Sequence, residues 1–150
     1  MFKLIPVSVL LIALIAVPVQ VDGSGARIVE IPIADLVSLG DNQPSWNTTI
    51  QIRQGELRRS TYAAIEFVGV GVWEGTSSNI IINGRKYVLP ISEPTWIADL
   101  ATRGKSVIPI PIGILRKGNN TIVIEAGPIR NPTNLYDDFD LANVVLVLSR

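Results

Sequence analysis

The 150-residue sequence contains neither cysteine nor histidine. Without cysteine there is no disulfide framework, thiolate metal site or thiol nucleophile. Without histidine the commonest general base is missing, as is the commonest ligand of zinc, copper and non-haem iron. An excess of one charge is lacking too, since 13 Lys and Arg balance 13 Asp and Glu. A net charge of zero gives no long-range pull on phosphates, and a pair such as Arg58-Arg59 is too small to make a patch, so nucleic acid is not an expected partner. Serine catalysis would lack a histidine base, and no S-x-x-K pattern replaces it. Glu66, Glu74, Glu93 and Asp99 could supply a glycosidase carboxylate pair in number only. Gly69-Val70-Gly71 has strand-like surroundings and no following helix, so it is no dinucleotide fingerprint. The chain reads as not an enzyme.

What is present is apolar and β-forming. Hydrophobic residues make up 47% and mean hydropathy is +0.37, enough to bury a core in one domain. Residues 1–23 read as a signal peptide or an N-terminal membrane anchor, in the form of an apolar leader helix. Lys3 supplies the positive end, Leu4 to Val19 is nearly all apolar, Pro18 breaks any helix, and Val21-Asp22-Gly23 offers a cleavage site. The run matches the shortest spanning helices, so anchor and cleaved leader both stand. Either makes the protein secreted or cell-surface, touching a membrane only through this segment if it is retained.

After the leader, strands dominate. They are expected at Ile28–Ile33, Thr48–Arg53, Ser60–Val72, Ile80–Ile82, Tyr87–Leu89, Val107–Leu115, Thr121–Ala126 and Asn143–Ser149. Asn83-Gly84 supplies the positive φ values of a type I′ hairpin turn. Pro32, Pro109 and Pro111 imply edge strands or bulges, and Gly69 and Gly71 a bend. Leu39–Asn47 is the clearest long loop, and Ser92–Arg103 the one place for a short helix. Ile65, Phe67, Ile80, Ile82, Ile122, Ile124, Val145 and Val147 are the expected core. Short strands at this spacing point to an all-β sandwich or barrel rather than an α/β fold, and an antiparallel sandwich over residues 26–150 is the expected fold.

From Asn83-Gly84 onward, "NG", "IPIGILRKGNNTIVIEA" and "YDDFDLANVVLVL" resemble the galactose-binding-like β-sandwich, a jelly roll found in sugar-binding domains of β-galactosidase-type glycosidases and in carbohydrate-binding modules. The family's L-x-x-G-x-N-x-I turn matches Leu115, Gly118, Asn120 and Ile122. Gly118 would supply an unusual φ, and Asn120 would bond its own backbone before a buried strand. The resemblance spans Ser60 to Leu148 and implies a jelly-roll fold. Its matching residues are structural, so it names no ligand.

Candidate binding residues follow from side-chain chemistry. A tryptophan face can stack on a sugar while amides and charges bond its hydroxyls. Trp46, in the polar loop with Asn42 and Asn47, is the expected platform; Trp73, Trp96 and Arg85 are further candidates, and each tryptophan could equally serve in packing. Asp137, Asp138 and Asp140 form the densest acidic cluster. They could hold calcium, with Asn134 and Glu125 as added ligands, or Asp137 and Asp138 could cap the turn into the last strand with Phe139 in the core. Asn47-Thr48-Thr49 and Asn119-Asn120-Thr121 match the N-glycosylation pattern. The expected function is an exported, non-catalytic module binding extracellular carbohydrate. The alternative is a structural or adhesive subunit of a cell-surface layer or filament that self-associates, with Ile28–Ile33 adding to a neighbour's sheet.

Overall fold

A computed structural model describes residues 19–21, 27–73, 76–92, 104–129 and 135–150. Residues 1–18 of the expected leader helix, Asp22 and Gly23 of the cleavage site, residues 93–103 of the expected short helix (Trp96 among them) and Asn134 lie outside the described residues, whereas Val19–Val21 of the expected leader form a short strand. Among the described residues no helix is long and apolar enough to cross a membrane.

The strands are β1 (Val19–Val21), β2 (Arg27–Leu39), β3 (Ser45–Ile52), β4 (Tyr62–Val70), β5 (Asn79–Ile82), β6 (Arg85–Val88), β7 (Ser106–Ile110), β8 (Gly118–Glu125) and β9 (Phe139–Ser149). They form two antiparallel sheets, ordered β1-β2-β9-β4-β7 and β3-β8-β5-β6. One buried cluster joins the sheets: Ile31, Ile65, Phe67, Ile108, Leu141 and Leu146 from the first meet Ile50, Ile52, Ile80, Ile82, Ile122 and Ile124 from the second. The chain is thus a β-sandwich. Burying each such side chain is worth roughly 1.5–3 kcal/mol, which makes this cluster the main source of stability.

The prolines and the turn stand where their chemistry requires. β7, carrying Pro109, is an edge strand bonded to β4. β2 changes register between Pro32 and Ala34. Asn83 and Gly84 have φ of 50° and 86°, so the hairpin carries a positive φ at both central positions.

Three expectations are corrected. Helix α1 (Gln54–Arg59) occupies a stretch with no apolar stripe to announce it. Its cues are electrostatic: Glu56 in the first turn and Arg58 and Arg59 in the last complement the helix dipole. The expected long loop shrinks to Gly40–Pro44, because β3 already starts at Ser45, two residues past Gln43. The bend expected at the glycines falls at Gly71, directly after β4, with φ 84°, but the first sheet carries a further irregularity that was not expected, a bulge at Asn143 of β9 with φ 51° and a register shift against β4. That bulge also changes which β9 residues face inward. Phe139 and Leu141 precede it, Val144, Leu146 and Leu148 follow it, and all five join the core. Val145 and Val147 therefore face away from the core, although Val147 is itself buried.

The strand ends define two poles. At one, Leu39 pairs with Phe139, Val70 with Asp140 and Ser45 with Glu125, so Gly40–Pro44 and the described residues of the β4–β5 and β8–β9 connections lie there. At the other, Ile52 pairs with Gly118 and Tyr62 with Ser149, which places α1, the segment 111–117 and the Asn83-Gly84 turn together.

Candidate functional site

The first pole is stitched by two aspartates. Asp137 is 1% exposed, and its Oδ2 accepts from the backbone N–H of Trp73 at 3.3 Å, from Thr76 Oγ1 at 2.8 Å and from Ser78 Oγ at 2.9 Å. Ser78 Oγ in turn accepts from Gly127 N–H at 3.0 Å. Asp137 N–H donates to the Gly127 carbonyl at 2.9 Å, which joins both ends of the β8–β9 connection. Asp41 Oδ1 accepts from Tyr136 N–H at 2.7 Å, tying in the β2–β3 turn. Two glycines make room for these contacts: Asp138 Oδ1 fills the place a Cβ would take on Gly40, and the Ser77 backbone lies against Gly127.

These bonds fix the surface above them. Trp73 follows β4 with its backbone held by Asp137 and its side chain 61% exposed. Tyr136 immediately precedes the clamp, and Ile129 donates its N–H to the Leu135 carbonyl at 2.8 Å, so Ile129, Leu135 and Tyr136 form an exposed apolar ridge on the same connection. Asn42 is exposed in the adjoining turn. Trp73, Ile129, Leu135, Tyr136 and Asn42 are thus exposed residues on connections of the same pole.

The other candidates separate. Trp46 is no loop platform: it is the second residue of β3, paired with Ile124, and packs partly buried against the core. Period-two alternation puts it on the inward face with Ile50 and Ile52. Asn47 is exposed on the outer face of the same strand, and Asn119 is exposed on β8. Arg85 lies at the hairpin turn of the opposite pole, too far removed to share a ligand with Trp73. Of the acidic cluster, Asp137 already satisfies one carboxylate oxygen with three donors, Asp138 packs over Gly40, and Asp140 lies in β9, with Phe139 buried in the core. Among the described residues no group of three acidic side chains converges to hold a metal ion. Tyr136 and Leu135 were not legible as surface contributors, because nothing local marks which side of a loop faces solvent.

The residues matching the L-x-x-G-x-N-x-I turn do meet. Asn120 is fully buried; its Oδ1 accepts from Arg116 N–H and from Asn83 Nδ2, each at 2.8 Å, and its Nδ2 donates to the carbonyls of Arg116 and Gly118. Asn83 Nδ2 also donates to the Ile114 carbonyl, and its Oδ1 accepts from Thr121 N–H. Gly118 has φ +84°. The two motif asparagines thus weld the hairpin to the turn before β8.

No family model matches the chain, and no curated protein does. Among solved structures, the wild type and a variant of BuGH86, each in complex with neoagarooctaose, are similar to it. Their TM-scores are 0.46 and 0.45 at 18% and 19% identity. Each likeness covers 83% of this chain and 19% of the other. At those scores it transfers no ligand and no activity to this chain.

Proposed function

We propose that the protein is a non-catalytic carbohydrate-binding module of the galactose-binding-like type, exported by its leader, with its ligand surface at the pole carrying Trp73. The observation that carries this reading is an exposed indole on a backbone pinned by a buried carboxylate. Ordering a loop in advance removes part of the entropic cost of binding. Sugars offer apolar C–H faces that suit an aromatic platform, and Asn42 and Asp138 are exposed at the same pole for hydroxyls. The bonded pair Asn83–Asn120 supports the family assignment. The absence of histidine and cysteine from the sequence supports a binding rather than a catalytic role.

The test is a glycan array probed with wild type, Trp73→Ala and Trp46→Ala, with circular dichroism to check folding. Trp73→Ala is expected to weaken binding about tenfold, the scale of one lost aromatic contact, and Trp46→Ala to affect stability more than binding. Wild type that binds no glycan sinks the function. Unchanged binding by Trp73→Ala keeps the function and discards the site.

The assembly reading has one observation in its favour. Strand β1 pairs with β2 over Arg27–Val29, and among the described residues nothing pairs with that side of β2 beyond it. Polymers in size-exclusion chromatography would select that reading over a monomeric binder.

A further inference from the structure

The pole opposite Trp73 holds a cavity of about 270 Å³ lined, among the described residues, by Arg27, Arg53, Arg59 and Arg150, with Ser60 and one acidic side chain, Glu56. Its size is close to the lower end of small-ligand pockets, roughly 300 Å³. The lining residues come from β2, the end of β3, α1 and the residue after β9, so folding alone assembles them. None of the four guanidinium groups forms an ion pair among the described residues. Glu56 is partly engaged, since its Oε2 accepts from the Arg53 backbone N–H at 2.9 Å. Arg150 Nε donates to the Arg59 carbonyl at 3.0 Å, which holds these two residues together. Lys117 lines an adjoining hollow that shares Arg53 and Glu56.

Four arginines against one acidic side chain give the described lining an excess of positive charge, which favours an anion in the cavity, although the exposure of all four arginines lets water screen part of it. Guanidinium forks match the oxygens of sulfate and phosphate two at a time, and Ser60 adds a hydroxyl at the wall. We propose that this cavity is a binding site for a sulfate or phosphate group, either as the free dianion or as an ester on a saccharide. The site is independent of the surface around Trp73, so either can fail alone. The net charge of zero conceals it, because acidic side chains such as Asp41, Asp137, Asp138 and Asp140 collect at the other pole.

The test uses the full chain in low salt. Thermal unfolding is followed as millimolar sodium sulfate or phosphate is added, against sodium chloride of equal ionic strength. A ligand that binds only the folded state raises the midpoint in a saturable way. Wild type is expected to show that rise, and added chloride to weaken it. Arg53→Gln/Arg59→Gln is expected to lose the response or to need at least tenfold more anion. Arg85→Gln, on the hairpin turn outside the cavity, is expected to keep it. Single Arg27→Gln provides the same readout if the double variant fails to fold. Retention on immobilised heparin, later for wild type than for the double variant, would identify an ester on a saccharide as a source. Coelution of the two, with the inorganic response still lost in the variant, would identify the free anion. The proposal is overturned if wild type responds to sulfate and phosphate no more than to chloride, or if Arg85→Gln loses as much as the double variant.

Discussion

Two buried side chains show how much structure a single polar residue can organise. Asp137 collects three donors on one oxygen, and Asn120 makes four hydrogen bonds with no exposure to water. Each is tolerated inside because it is satisfied, and each leaves stranded partners when removed. Asp137→Ala leaves the Ser78 hydroxyl and the Trp73 N–H without their carboxylate acceptor, while the Thr76 hydroxyl keeps the Trp73 carbonyl at 2.9 Å. A loss of roughly 2–4 kcal/mol in urea denaturation is expected, at the upper end for a charged partner. Asn120→Ala is expected to cost about 2–3 kcal/mol by the same measurement, since it unpairs Arg116 N–H and removes one of the bonds that Asn83 makes between the hairpin and the turn. A change below about 0.5 kcal/mol in either variant would show that water replaces these bonds at no cost.

At the scale of elements, β9 is the strand on which the first sheet depends. It lies between β2 and β4 and is bonded to both. Its bulge at Asn143 decides which side chains reach the core, and φ 51° there suits Asn or Gly but not a β-branched residue. Asn143→Val is expected to cost about 1–2 kcal/mol, while Asn143→Gly stays within about 0.5 kcal/mol of wild type. The inward register gives a second check. Leu146→Ala should cost about 2–5 kcal/mol, and Val145→Ala less than about 1.5 kcal/mol. Equal losses at 145 and 146 would contradict the register. The expected core residues on β4, β5 and β8 are buried as the alternation required, whereas β9 is apolar on both faces and its alternation could not be read.

For the whole molecule, the sheet order brings together strands far apart in the sequence. β2 pairs with β9 over nearly its full length, and β3 pairs with β8, so every sheet contact except the hairpin and the β1–β2 pair spans a long stretch of chain. Non-local pairing incurs its loop-closure entropy before contacts repay it. Refolding followed by stopped-flow fluorescence is therefore expected on a millisecond-to-second scale, and a dominant microsecond phase would be inconsistent with this topology. The same topology separates the two proposed sites, which lie at opposite ends of the strands.

What the sequence determined by itself is what short-range chemistry can specify. Period-two alternation gave strands, Asn83-Gly84 gave the hairpin, Pro32 and Pro109 gave a bulge and an edge, and Gly118 with Asn120 gave the locked turn. Each depends on φ, a missing N–H or a contact within a few residues, so each is legible locally. The tertiary structure decided which of two apolar faces of β9 turns inward, which tryptophan is exposed and which is packed, and which charges become neighbours. The polar neighbours of Trp46 made it the expected platform ahead of Trp73, but strand pairing buries part of Trp46 while Trp73, its backbone bonded to Asp137, is exposed. Arg27, Arg53, Arg59 and Arg150 are scattered along the chain and meet only when the strand ends and α1 close over them. Long-range pairing is set by the mutual burial of whole sheets, and no local window of residues contains that information.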